Sequence, residues 1–134
     1  EALAIVCGVA HPLAERARLR FADLARYPWI VQPPGSPMRG VIEREFARHH
    51  QRLPIGGVQS ASVLTTLSLI ERSELIAVLP AAQAGDFGRH GMLTILPYRF
   101  HDQLPAFGAL TLRHRPPNAV TRHLLALLQG GARG

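Results

Sequence analysis

Residues 27–50 read YPWIVQPPGSPMRGVIEREFARHH, and the stretch divides into three parts. Pro28 to Val31 is a short apolar run, Gln32 to Gly35 is a loop rich in Pro and Gly, and a helical pattern follows. Ser36 is a good N-cap, and Pro37 suits the first helical position because its missing N–H costs nothing there. Met38, Val41, Ile42 and Phe46 then recur at helical spacing, while Arg39, Glu43, Arg44 and Arg48 take the other face. A strand that passes through a tight loop into a helix leaves free backbone N–H groups at the strand's carboxyl end. Such a place can hold a small anion.

Working outward, Leu3 to Val9 (LAIVCGV) reads as a buried strand by its length and β-branched content. His11-Pro12 ends it. Phe21 to Ala25 is a helical turn leading into the second strand, Tyr27 to Val31. Leu53-Pro54 breaks the chain after the central helix, and Ile55 to Gln59 reads as a third strand. Ser60 is expected to cap a further helix with Val63, Leu64, Leu67 and Ile70 on its buried side. Leu75 to Leu79 is a fourth strand, Pro80 opens an Ala-rich helix, and Met92 to Leu96 is a fifth strand. Pro97 to Pro105 is loop-like, and Phe107 to Leu112 alternates enough to be a sixth strand. Pro116, Pro117 and Asn118 start a final amphipathic helix through Gln129 that carries Val120, Leu124, Leu127 and Leu128. The tail, Gly130 to Gly134, is expected to be disordered.

Strands alternating with helices predict an α/β fold with a mainly parallel sheet flanked by helices on both faces. In such sheets ligands bind beyond the carboxyl ends of the strands. Two helix starts, at Ser36 and Ser60, follow strands directly. Parallel strands would bring both to one sheet edge, giving a hydroxyl-lined rim of Ser36, Ser60 and Ser62, with Thr65 a turn further on.

Composition narrows the function classes. The 134 residues are enough for one domain with a core, and 47% hydrophobic with 18% charged residues is ordinary globular composition. The net charge of +6 comes from fifteen arginines without one lysine, which looks like the bias of GC-rich codons. These arginines are scattered, with Arg16, Arg18 and Arg20 on a short connector, so no focused stripe for DNA is formed. One cysteine excludes an internal disulfide framework and leans towards a reducing, cytoplasmic compartment. No apolar run approaches membrane-crossing length, and no membrane partner is expected.

Side chains that could carry chemistry read as structural. Cys7 lies mid-strand without a charged neighbour and reads as a small buried hydrophobe. His49 and His50 end a helix, where a cationic ring complements the dipole, and adjacent residues do not share one face. His90, His101, His114 and His123 show no ligand spacing with Cys, Asp or Glu, so no metal is expected. Glu43 and Glu45, among arginines, read as a solvated helix face. No G-x-S-x-G elbow and no Gly-rich phosphate loop is present. The reading is therefore non-enzymatic, without a cofactor and without catalytic residues.

Taken in order, these pieces resemble the C-terminal effector-binding domain of LysR-type transcriptional regulators. The likeness rests on LAIVCGVAHPLA, FADLARYPWIVQPPGSPMRGVIEREFARH, the QSAS helix start, LIERSELIAVLP, MLTILP and FGALTLR, and spans nearly the whole chain. PPGSPMR and ERSELIAVLP look like the branch related to galactose-binding-protein regulators. Where many family members carry a Gly-rich pair before the apolar strand, this chain has Ser73-Glu74.

The resemblance implies a periplasmic-binding-protein-like fold (type II) of two α/β lobes with a small organic effector in the cleft between them. On it, residues 11–105 form the second lobe, while 1–10 and 106–134 supply crossover strands and a helix belonging to a mostly missing first lobe. Leu3 to Val9 and Phe107 to Leu112 match the crossovers. The effector is expected to carry a carboxylate and to meet Gly35, Ser36, Pro37 and Met38 on one loop and Ser60, Ala61 and Ser62 on another. The family's DNA-binding head has no counterpart here, so DNA would be reached only through an N-terminal domain outside this chain, which looks like a fragment. The resemblance also implies a dimer, with the helix Pro37 to His49 in its interface. The competing reading is a dimerisation or interaction fragment with no ligand of its own.

Overall fold

Every residue of Leu3–Cys7 is buried, which a strand achieves only when both faces of its sheet are covered. The computed structural model describes residues 1–54, 57–106 and 108–131. Its strands are β1 (Leu3–Cys7), β2 (Trp29–Val31), β3 (Val58–Gln59), β4 (Ile76–Pro80) and β5 (Thr94–Ile95). Its helices are α1 (Phe21–Leu24), α2 (Pro37–Arg48), α3 (Val63–Glu71), α4 (Ala81–Arg89) and α5 (Ala119–Gly131). The sheet runs β3-β2-β4-β1-β5. β2 pairs in parallel with both β3 and β4, with Ile30 opposite Val58 and Ala77. β1 runs antiparallel to both of its neighbours, with Ala4 opposite Leu79 and Val6 opposite Ile95. Four strands thus point one way and β1 alone opposes them: a mixed, mainly parallel α/β sheet, as expected.

Side-chain alternation along the strands divides the core in two. Leu3, Ile5, Trp29, Val31, Ile76 and Val78 face α1 and α2, where they meet Phe21, Leu24, Val41, Ile42 and Phe46. Ala4, Val6, Ile30, Ala77 and Leu79 face the other way and meet Ile70 of α3 and Ala84 of α4. Phe46 packs edge-on against Phe21 and Trp29, with ring centroids 4.8 and 5.1 Å away. Gly8 is required where the end of β1 passes α3, because a Cβ there would lie 2.2 Å from the carbonyl oxygen of Ile70. Cys7 is a buried free thiol, and burial pushes it up to about 11.

Several expectations need correcting. The third helix starts at Val63, and its N-cap is Ser62 rather than Ser60; Ser62 Oγ accepts from the amide of Thr65 at 3.3 Å. On that helix Leu64 is 76% exposed, and Thr66 takes the buried place beside Ile70. The strands around Trp29 and Thr94 are shorter than the apolar runs that announced them. The expected sixth strand does not form: Gly108–Leu112 is irregular and exposed. Strand backbone needs a partner for its N–H and C=O groups, and among the described residues none lies alongside. Phe107, Ile55 and Gly56, which also belonged to expected strands, lie outside the described residues. So do residues 132–134 of the expected tail, whereas Gly130 and Gly131 continue α5.

Glu45 is the largest departure, being completely buried instead of solvated. Its Oε1 accepts from the Tyr98 hydroxyl at 2.6 Å and from His101 Nδ1 at 2.8 Å, and its Oε2 accepts from the His101 amide at 3.2 Å. Burial alone would raise its pKa, but these donors outweigh burial and hold the carboxyl below its ordinary value. Burial of the Tyr98 phenol, and then its bond to this carboxylate, raise its pKa and keep the phenol proton tightly bound. One residue further on, Asp102 accepts from Arg44 Nε at 2.6 Å and Arg48 Nη2 at 2.7 Å. Residues 98–102 are thereby fastened along α2.

The end of α2 is a Schellman motif: the Gln51 amide reaches Phe46 O at 2.9 Å and the His50 amide reaches Ala47 O at 3.0 Å. His50 occupies its left-handed position, with φ of 52°, where a β-carbon is strained. His50→Gly is expected to raise stability by about 0.5–1 kcal/mol in urea denaturation. Cys7 sets a second expectation. Its folded pKa is raised, so its contribution is complete below the ordinary thiol value of 9.0 and is lost as pH climbs towards about 11. Stability measured across that window should fall more steeply in the wild type than in Cys7→Ala.

Candidate functional site

Three parallel strands end at one edge of the sheet, and each hands over to a helix. β2 leads through a turn of Pro33, Pro34, Gly35 and Ser36 into α2; the Ser36 amide donates to Pro33 O at 3.2 Å. Gly35 has φ of +86°, the conformation that a turn with Pro before Gly demands. β3 leads through Ser60 and Ala61 to Ser62 and α3, and β4 runs directly into α4 with Pro80 as its N-cap. Three helix N-termini therefore meet beyond the carboxyl ends of β2, β3 and β4. Their aligned backbone dipoles make this edge electropositive without a formal charge.

A cleft of about 160 Å³ opens there. Of the residues read as effector contacts, Met38, Ser60, Ala61 and Ser62 line it, together with Gln32, Thr66, Leu79 and Gln83. Gly35, Ser36 and Pro37 are not in its lining. Among the described residues no charged side chain lines it, so polar contact comes from hydroxyls, amides and helix ends. Ser60 Oγ accepts from the Ser62 amide at 3.1 Å, and Thr66 Oγ1 donates to Ser62 O at 3.0 Å. Ser36 stands at the N-cap of α2 but makes no side-chain cap bond. The first-turn amides of Met38 and Arg39 are left without that acceptor.

Gln32 is the residue that pattern reading missed. It lies one position past β2, and Arg39 Nη1 fixes its backbone by donating to Gln32 O at 3.1 Å. Its Oε1 is buried without a hydrogen-bond partner among the described residues. Leaving such an acceptor unpaired costs about 1–3 kcal/mol. Thr66 was missed by one position, Thr65 having been expected at the rim. A polar residue directly after an apolar strand run was the available signal for Gln32. Nothing comparable in the local sequence announces Gln83.

Fold and cleft together define an α/β domain of the periplasmic-binding-protein type. Residues 1–133 match the LysR substrate binding domain, and the chain belongs to that family, a non-enzymatic family of transcriptional regulators. It is 32% identical over 133 residues to the HTH-type transcriptional regulator GbpR of Azospirillum brasilense, covering 98% of this chain and 39% of that protein. It is 34% identical over 83 residues to GbpR of Rhizobium radiobacter, covering 62% of this chain and 27% of that protein. The chain thus spans well under half the length of these curated relatives. Among solved structures, the Synechocystis CcmR regulatory domain in complex with 2-PG superimposes with a TM-score of 0.72 at 22% identity, covering 96% of this chain and 62% of that one. The effector binding domain of QuiR in complex with shikimate gives 0.65 at 20% identity, covering 97% and 61%. The BenM effector binding domain with benzoate gives 0.54 at 20% identity, covering 76% and 46%. No helix among the described residues is long and apolar enough to cross a membrane.

The two serines at helix starts should respond differently to truncation. Ser62→Ala removes a cap bond and is expected to cost about 1 kcal/mol in thermal or urea unfolding. Ser36→Ala, with no cap bond to lose, should change stability by less than about 0.5 kcal/mol.

Proposed function

We propose that this chain supplies the second lobe of a LysR-type regulator's effector-binding domain, and that a small organic carboxylate binds at the carboxyl edge of β2, β3 and β4. The observation that carries the reading is the convergence of three helix N-termini on a cleft with an unpartnered buried acceptor, Gln32 Oε1. The helix ends favour an anion. The Gln32 acceptor favours a ligand that also brings an O–H or N–H donor. Shikimate, bound by QuiR, has both features, and benzoate, bound by BenM, has the carboxylate. Binding here would shift lobe or dimer geometry, and DNA would be contacted through a separate domain.

The domain arrangement belongs to the same proposal. Glu1 and Leu104 exchange hydrogen bonds, amine to carbonyl at 3.2 Å and amide to carbonyl at 3.0 Å. The two ends of residues 1–104 thus run side by side, as two lobe-to-lobe connections do in this family. Beyond them, Val120, Leu124, Leu127 and Leu128 of α5 are exposed, an apolar stripe suited to packing on a first lobe. Dimerisation through the solvent face of α2 rests on the family resemblance.

Thermal denaturation of the purified protein with shikimate, benzoate and their neutral amides tests the reading. Saturating acid should raise the melting temperature, with about 2.7 kcal/mol gained at a hundredfold excess over Kd. The amides should do less, and Gln32→Ala or Ser60→Ala should remove most of the shikimate response. No response to either acid would favour an interaction module without a ligand, and a response unchanged in both variants would put acid binding outside this cleft.

A further inference from the structure

At the far end of α2 from the cleft, three nitrogen and oxygen ligands converge. Glu45 and His49 are four residues apart and share one helix face, and His101 reaches them from the segment that follows β5. Glu45 Oε1 lies 2.8 Å from His101 Nδ1 and 3.5 Å from His49 Nε2, and all three donor atoms lie within 4.8 Å of one another. We propose that Glu45, His49 and His101 form a binding site for a divalent first-row transition metal, with Zn²⁺ the best-matched ion.

The donor chemistry fits. One carboxylate and two imidazoles are a common zinc ligand set, and a fourth position is left for water. At Zn–ligand distances of about 2.0–2.1 Å, tetrahedral donors stand about 3.3 Å apart. The spacings from Glu45 Oε1, 2.8 and 3.5 Å, straddle that value, and the set as a whole lies within 4.8 Å, so ring rotation is needed to close the site around an ion. The His101 side chain is 56% exposed and free to make that rotation, and His49 at 35% leaves a path for the ion, whereas Glu45 is fully enclosed.

Each donor is also held by groups outside the triad, which separates a prepared site from a chance encounter of side chains. The His49 ring stacks on Phe21 with centroids 4.5 Å apart and planes 13° from parallel. Tyr98 O–H fixes the Glu45 carboxylate at 2.6 Å and lies 3.0 Å from His49 Nε2. His101 is placed by its own amide on Glu45 Oε2 and by its neighbour Asp102, gripped by Arg44 and Arg48. Without metal the donors satisfy one another. An ionised carboxylate only accepts, so His101 Nδ1 carries a proton towards Glu45; likewise Tyr98 O–H points to Glu45, and His49 Nε2 donates to the phenol oxygen. Metal binding requires each ring to carry its proton on the other nitrogen, with no net loss of protons from neutral rings. The bound ion ties the last turn of α2 to residues 98–102.

Titration of tag-free protein with ZnCl₂ near neutral pH, followed by calorimetry and thermal denaturation, tests this. One equivalent should saturate, raise the melting temperature and be reversed by EDTA. His49→Ala and His101→Ala should each weaken binding roughly tenfold or more, and His90→Ala, on α4's cap, should not. Absence of saturable binding overturns the proposal, as does one-equivalent binding that survives His101→Ala undiminished. Glu45→Gln is the weaker test because it disturbs a buried network; the exposed His101 ring keeps the outcome decisive.

Discussion

The parallel pairing of β2 with β3 on one side and β4 on the other is the constraint on which the rest of this molecule depends. Parallel neighbours cannot be joined by a tight turn, so each connection must cross back over the sheet, and here each crossing is a helix. Three strands that end together then start three helices together. The electropositive edge and the cleft between the three helix starts both follow from that one pairing. β1 supports it from the other side. Inserted antiparallel between β4 and β5, it buries both of its faces and lets α1 and α2 take one side of the sheet while α3 and α4 take the other.

How much of this was legible in the sequence depended on range. Apolar runs such as Leu75 to Leu79 and the spacing Val41, Ile42, Phe46 report burial directly, because a strand or helix imposes its own period. The Pro33 to Ser36 turn was also legible, since Pro and Gly each restrict or permit a particular φ. The cap of α3 was misplaced because Ser60 and Ser62 are equally good caps, and only the exit from β3 decides between them. Glu45 was misread for a different reason. Its partners Tyr98 and His101 lie more than fifty residues away, and charge beside Arg44 and Arg48 looks like a solvated face. Those arginines instead hold Asp102, which brings the partners in. Phe107 to Leu112 erred in the opposite direction, since alternation reports a strand only where another strand is there to receive it.

Among the described residues the proposed cleft contains no ion pair, and that shapes what it can distinguish. A helix N-terminus presents about half a unit charge spread over several amides, less than an arginine and less tied to one geometry. Three such ends would attract a carboxylate without fixing its orientation. Discrimination then falls to the neutral groups, of which Gln32 is the most exacting because its acceptor is already desolvated. A ligand lacking a matching donor leaves that cost unrecovered, whereas a matching one recovers it. Sites that hydrogen-bond a ligand hydroxyl reject its deoxy analogue far better than apolar pockets reject an added group.

α2 joins the two polar regions. Its 12 residues span about 18 Å, with Met38 in the cleft at one end and Glu45 and His49 in the buried network at the other. Both ends are tied to other parts of the chain. Arg39 holds the backbone just past β2, and Asp102 bridges Arg44 and Arg48. The second tie continues through residues 98–104 to the Leu104 pairing with Glu1. The position of Leu104 relative to the cleft is therefore set by one rigid helix and a handful of charge-assisted bonds as well as by apolar packing. Apolar contacts tolerate sliding, whereas a carboxylate held by one arginine on each oxygen fixes register as well as distance. Under the proposed two-lobe arrangement, the direction in which the chain leaves this lobe would decide how it faces the other. Glu45 and Asp102 stand where that direction would be fixed.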